Sequence, residues 1–448
     1  MNLPKCSVLK FATLLAVGAA LPQLSFAVSA TWTGATNSIW DTTSADWNDG
    51  VTNPTVWVNG SGTTTNDAAF VTGTTVTLGA TTIAVRNITT AGTTTISGGT
   101  LRMDSGTATN GGAGNAGPII GGGSGNFNIS SVLTGSRGVA FNGTLITLTG
   151  TATYTGITQI SANTLRLGAN NVLPTTTALA IFGSGRTLEM NGFNQTVASI
   201  QGSNGIIQNT VGNATITING TASQSTGIRL TGTLNVAYAN TGTLTLSAGQ
   251  GTLNYTGSTS VSAGTLLLST GTSGLLSTSA VTVNGGALAS GATSGTLALG
   301  VGNVTMSSGS INPGQTGSVA AFTVASNKNF LTTGGTIRMD LDTTLLLDQI
   351  FGGGTGTFSL TNTTLALNLL TWTTPDYANS YTLFSGFNSG SVSGLTITGY
   401  DTTNFIATLS NTGVLSFAAV PEPSTIALAG LGVMAVAALH RRRRHMRS

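Results

Sequence analysis

The sequence predicts an all-β chain built as a β-solenoid, and three observations lead there. Only 6% of the 448 residues are charged, while 40% are hydrophobic and 63 are Gly. That profile carries too much apolar material for a disordered chain. Its scattered Val, Ile and Leu, set among Thr, Ser, Gly and Asn, read as many short strands joined by tight corners. Finally, a short unit recurs along the chain, and its last copies fall at a nearly constant step. Two or three ordinary domains would be the prior for this length, but that prior fails for elongated repeats.

The repeated unit is visible as "TISGGTLRM" from Thr95, "QISANTLRL" from Gln159 and "SVSAGTLLL" from Ser260, with looser copies "TVNGGALAS" from Thr282 and "TMSSGSINP" from Thr305. In each, two apolar residues stand five apart: Ile96 and Leu101, Ile160 and Leu165, Val261 and Leu266, Val283 and Leu288, Met306 and Ile311. Strand side chains alternate between faces, so Leu101 and Met103 point one way and Arg102 the other. An odd offset would put the leading residue on the wrong face of one straight strand. A corner must therefore intervene, at Gly99, Asn163, Gly264, Gly286 or Gly309, residues that tolerate a positive φ. From Val261 to Val283 is 22 residues and from Val283 to Met306 is 23. A unit of this size buries its apolar face only against neighbouring copies, as one turn of a solenoid does. A β-sandwich is the structural alternative, with no reason to repeat at this step.

Five segments follow: 1–30, 31–75, 76–345, 346–419 and 420–448. Residues 1–30 read as a secretory signal-peptide helix, with Lys5 and Lys10 before the apolar run Phe11 to Leu21. Small residues allow cleavage by signal peptidase after Ala27 or after Ala30. Cys6 is the only cysteine and precedes the apolar run, which excludes disulfides and places it badly for lipoprotein processing. Segment 31–75 holds Trp32, Trp40, Trp47 and Trp57 and reads as an aromatic cap over the end of the solenoid, in preference to a sugar-stacking site. Segment 76–345 is the solenoid proper, and 346–419 is a β region completing it.

The last segment contains Pro421, Glu422 and Pro423, then an apolar run from Ile426 to Leu439, then Arg441, Arg442, Arg443 and Arg444. Fourteen helical residues rise only about 21 Å, against a hydrocarbon core of roughly 30 Å. The run is expected to form a short transmembrane helix, with the arginines holding the cytoplasmic side.

This tail resembles the PEP-CTERM sorting signal of Gram-negative bacteria: motif, short apolar helix and arginine cluster stand in the family's order. The resemblance implies recognition by an exosortase, cleavage near Pro421-Glu422-Pro423, transient anchoring in the inner membrane, and delivery to the cell surface or extracellular matrix. It also implies an association with exopolysaccharide and biofilm. The body is similar to the autotransporter-associated β-strand repeat, best in "YTGITQISANTLRLGANNVLP" (Tyr154 to Pro174) and "YTGSTSVSAGTLLLS" (Tyr255 to Ser269). That second resemblance implies a right-handed parallel β-helix outside the cell. The chain departs from autotransporters in ending with the sorting tail instead of a membrane β-barrel.

Composition narrows the chemistry. The formal net charge is +3, yet residues 31–420 hold eight Lys or Arg and eleven Asp or Glu, so the basic excess belongs to the two ends. No basic patch for nucleic acid is expected on the body. Both histidines, His440 and His445, lie in the tail, which removes His-based triads, Cys nucleophiles and ordinary zinc sites. "GAGNAG" (Gly112 to Gly117) fits GxGxxG but lacks a following helix. "GGSGNFNIS" (Gly122 to Ser130) resembles a calcium-binding nonapeptide, yet Phe127 occupies the position of the ligating Asp. Stacked Thr in "GTTTI" and "GTTVTL" suggests ice binding, but the register is too irregular.

The one acidic cluster is "IRMDLDTTLLLDQI" (Ile337 to Ile350). Asp340 and Asp342 share a strand face, with Asp348 beyond, and paired carboxylates can bind calcium or hydrolyse glycosides. The preferred reading is a solvated outer face with Leu341 turned inward. No catalytic residue, cofactor or metal is assigned. The expected role is structural or adhesive, at the cell surface or in the matrix, with extracellular polysaccharide or envelope components as partners. The alternative is a β-helical lyase or glycosidase acting on exopolysaccharide.

Overall fold

The computed structural model of the chain describes residues 28–442 except 61–64, 105–116, 123, 248–252, 270–278, 293, 315–316, 343–345, 371–376 and 421–432. Among these residues the chain is nearly all β, with one helix at 433–442.

Parallel ladders organise the strands. The first joins Ser29–Trp32, Asp67–Phe70, Asn87–Thr90, Ile119–Gly121, Val139–Asn142, Thr158–Ile160 and Ala178–Phe182 in that order. The second joins Ile39–Trp40, Thr75–Leu78, Thr94–Ser97, Asn126–Ile129, Leu145–Leu148, Thr164–Leu167 and Thr187–Glu189. A third starts with Ile83–Ala84, Thr100–Arg102 and Val132–Thr134, and resumes at Gln195–Val197. The long strand Ser199–Ile218 bends through all three, pairing successively with Ala178–Phe182, Thr187–Glu189 and Gln195–Val197. Gln224–Tyr238 then lies along it in the same way.

The third ladder continues through Thr259–Val261, Val281–Ser290, Val304–Asn312, Phe330–Thr332, Thr357–Thr361 and Ser389–Ser393. The first continues through Thr265–Leu268 to Thr336–Asp342, Thr364–Leu370 and Thr396–Thr398. A separate parallel sheet holds Thr296–Ala298, Ala321–Val324, Gln349–Gly352 and Phe384–Ser385. Antiparallel pairing occurs at both extremities. Ser29–Trp32 meets Trp47–Asn48, and Val414–Ala419 pairs with Tyr381–Thr382 and Phe405–Leu409. An antiparallel sandwich would not give such ladders.

Register explains the core. Ile146, Leu165, Leu188, Ile207 and Leu230 occupy one file of the second ladder, and all are buried. Ile218, Tyr238, Val261, Val283 and Met306 do the same in the third. Each such side chain contributes roughly 1.5–3 kcal/mol when fully buried. The step read from Val261, Val283 and Met306 is the ladder's own register. Elsewhere it varies, from 19 residues between Phe141 and Ile160 to 32 between Leu360 and Val392.

The best-matching repeat copies are not equivalent in space. Ile96 and Leu101 lead from the second ladder to the third, and Ile160 and Leu165 from the first to the second. Val261 and Leu266 lead from the third back to the first. One corner sequence thus serves three different corners. The corner residues also differ from expectation. Gly99, Gly264 and Gly309 have φ of +38°, +52° and +84°, but Asn163 and Gly286 do not adopt positive φ. At Gly286 space decides instead, because a Cβ would press on the Ala263 carbonyl oxygen at 2.6 Å.

The shared "YTG" segments have a common purpose that periodicity did not reveal. Tyr154 Oη lies 2.6 Å from Thr158 Oγ1, and Tyr255 Oη lies 2.6 Å from Thr259 Oγ1. Each places a phenol inside the core with its hydroxyl satisfied four residues on. Burial raises the Tyr154 phenol well above its ordinary pKa. Asparagines bind successive turns together: Asn170 Oδ1 accepts from Asn194 N (2.7 Å), and Asn194 Oδ1 accepts from Thr215 N (2.8 Å). Asn303, Asn329 and Thr357 repeat that relay, at 2.9 Å for each bond.

Two glycines separate backbone preference from space. At Gly264 a Cβ would overlap the carbonyl oxygens of Gly242 and Asn240, whereas at Gly212 (φ +58°) nothing lies within 4 Å. Gly212→Ala is expected to cost about 1–2 kcal/mol, and Gly264→Ala about 2 kcal/mol more. Thermal midpoints of the two variants check this, and equal midpoints would refute it.

Candidate functional site

The acidic segment forms a cleft. Asp340 sits in strand Thr336–Asp342, whose Ile337, Met339 and Leu341 point into the core. Its neighbours across the ladder are Asn368 on one side and the end of Val304–Asn312 on the other. Asn312, Gly314, Arg338, Asp340, Asp348 and Asn368 line a cavity of about 300 Å³. The expected inward turn of Leu341 is observed, but the expected solvation is not. Asp340 is only 5% exposed and Asp348 only 2%.

Backbone amides explain how buried carboxylates are tolerated. Asp340 Oδ2 accepts from Gly317 N (2.6 Å) and Ser318 N (3.2 Å), and its Oδ1 accepts from Asn368 Nδ2 (2.8 Å). Asp348 Oδ1 accepts from Ala320 N (2.7 Å), and its Oδ2 from Asp340 N (3.0 Å). The two side chains therefore fasten the segment around Gly317–Ala320 to the strand. Burial pushes the Asp348 carboxyl up to about 7, against the lowering effect of those amides, and the nearby Asp340 charge adds to the rise. Asp342 does not join them: it is half-buried at the strand end, with its amide donating to Leu346 O (2.8 Å). Among the described residues no group of three or more His, Cys, Asp or Glu is placed to hold a metal ion.

Arg338, Asn312 and Asn368 are the cleft residues that sequence reasoning missed. Arg338 is exposed, and Asn312 Oδ1 is buried without a hydrogen-bond partner. The signal available was the register of Ser310 on Thr336 and of Thr336 on Thr364, which no repeat copy marked.

The tryptophans gather at the other end. Trp40, Trp47 and Trp57 are at most 1% exposed, and Trp32 packs beside them. Ring centroids lie 4.7 Å apart for Trp47 and Trp57, 4.9 Å for Trp40 and Trp47, and 5.0 Å for Trp32 and Trp47. Phe70 touches three of the rings. Their faces are spent on one another, which leaves no stacking platform for a sugar. Phe127 of the rejected calcium nonapeptide is likewise fully buried. Gly112 to Asn115 lie outside the described residues.

In the tail, Pro421, Glu422, Pro423, Arg443 and Arg444 lie outside the described residues, as does Ala27. Arg441 and Arg442 end the helix at 433–442 and are exposed. Val433, Met434, Val436 and Leu439 of that helix are 62–69% exposed. The expected transmembrane helix is not observed: no described helix is long and apolar enough to cross a membrane. Ten residues rise only about 15 Å. Ala30 lies in strand Ser29–Trp32 and is buried.

Residues 419–444 match the PEP-CTERM protein-sorting motif. The motif marks an exported surface protein sorted by an exosortase, with sorting at the membrane. It covers the tail alone and carries no information on the ladders. Neither a curated protein nor a solved structure matches the chain.

Two outcomes are expected. A carboxyl whose folded pKa is raised stabilises the fold most below the unfolded value of 3.8, and that contribution is lost as pH rises to about 7. Relative to Asp348→Asn, the wild-type thermal midpoint should therefore fall between pH 4 and 7 and level off above; a constant difference would contradict it. Trp47→Ala should cost about 3–5 kcal/mol through the cavity left in the aromatic cluster. Denaturant unfolding followed by Trp fluorescence reads that loss.

Proposed function

We propose that this exported surface protein is a right-handed parallel β-helix with a structural or adhesive role in the matrix, where it associates with exopolysaccharide or biofilm. The carrying observation is one continuous wall of parallel ladders attached directly to a sorting tail. Val420 N donates to Asn404 O, so hydrogen bonding of the folded body runs up to the residue before Pro421. The handedness and the autotransporter-type repeat come from the sequence resemblance, and the stacked register supports both.

The exposed apolar helix at 433–442 finds no partner surface among the described residues, which supports a transient inner-membrane location before the exosortase acts. The arginines after it would keep to the cytoplasmic side. Extracellular polysaccharide or envelope components are the proposed partners, nucleic acid is not, and no cofactor is assigned. The rival enzyme reading would draw on Asp340 and Asp348. Every oxygen of that pair accepts a hydrogen bond from the protein itself, which favours a structural use.

Replacing Pro421, Glu422 and Pro423 by Ala tests the sorting step. The altered protein should accumulate in the membrane fraction with its tail attached, while the wild type is released from the tail. Identical processing and distribution of the two would overturn the reading.

A further inference from the structure

We propose that the mature chain begins at Val28, so that the leader is removed after Ala27 and not after Ala30; this rests on the export reading above. Peptidase chemistry does not choose between the two positions. Ser25 and Ala27 are small, and Val28 and Ala30 are small enough at the corresponding places.

The fold does choose. Val28 N donates to Asn66 Oδ1 at 3.0 Å, and Val28 O accepts from Asp67 N at 3.0 Å. Ser29, Ala30 and Thr31 then lie in parallel register with Asp67, Ala68 and Ala69. Ala30 is 4% exposed and belongs to the core, and Ala68 behind it is fully buried. Three residues before Thr31 therefore form part of the first rung.

A cut after Ala30 would delete them. Asp67 N–H would lose its acceptor, Asn66 Oδ1 its donor, and Ala68 its cover. The first ladder would then start on a frayed, unpaired edge. A cut after Ala27 leaves every one of these contacts in place. It also converts the Val28 amide into an α-ammonium facing Asn66 Oδ1, which makes that hydrogen bond charge-assisted and shorter in character. Asn66 is itself anchored, with Nδ2 donating to Val58 O at 3.3 Å. The new terminus is thus held by a side chain already fixed by the cap segment.

N-terminal sequencing and intact mass of the protein recovered from the producing cells decide the point. A start at Val28 is expected. A start at Thr31, or at any other residue beyond Ala27, overturns the proposal while leaving export intact. A chain still carrying Met1 to Ala27 overturns the proposal and the export reading together. Two further measurements bear on the physical ground. Ala27→Leu should leave precursor uncut, and undiminished processing of that variant would count against the site. Otherwise complete chains starting at Val28 and at Thr31 should differ in thermal midpoint by several degrees, the shorter one lower, with faster amide exchange at Asp67. Equal midpoints would remove the argument.

Discussion

No single repeat of this protein can bury its own apolar side chains; each is covered only by the repeats before and after it. That constraint governs the rest of the structure. It requires parallel register, because only then does Leu165 fall between Ile146 and Leu188, and Val261 between Tyr238 and Val283. It brings backbones about 4.8 Å apart at every corner. Glycine follows from that closeness as much as from φ, as Gly286 and Gly264 illustrate in different ways.

The same constraint makes the two extremities costly, since a terminal repeat has a neighbour on one side only. Aromatic residues occupy both. At the start, Trp32, Trp40, Trp47 and Trp57 close on one another and on Phe70. Near the finish, Tyr377, Tyr400 and Phe405 gather around Phe417 on the antiparallel strands that follow the last ladder strand. Large rings cover much area with few rotatable bonds, which suits a surface that must be sealed once.

Polar groups serve the stack as well. Asn side chains supply acceptors where the chain turns away from its ladder, and Tyr154 and Tyr255 bring hydroxyls inside without leaving them unpaired. Asp340 and Asp348 extend this logic to charge. They hold the Gly317–Ala320 segment through backbone amides, and burial leaves Asp348 titrating near neutrality. A cleft containing an exposed arginine beside two buried carboxyls looks like chemistry at first sight. Its hydrogen bonds describe a fastening.

The sequence alone determined the all-β character, the sorting tail and the 22- and 23-residue steps at Val261, Val283 and Met306, because alternation, motif order and spacing are local or linear properties. It also placed Leu341 inward and the tryptophans in a cap, since side-chain alternation and aromatic clustering need no knowledge of distant contacts. Tertiary structure decided which corner each copy occupies: Ile96, Ile160 and Val261 share a sequence pattern but stand on three different ladders. It decided that Asp340 and Asp348 are buried and Asp342 is not, because the covering segment around Gly317–Ala320 comes from another turn. It also decided that Ala30 belongs to the core, through pairing with Ala68 across 38 residues of chain. In each case the deciding contact is made between turns, and a linear pattern does not say which turn will lie beside which.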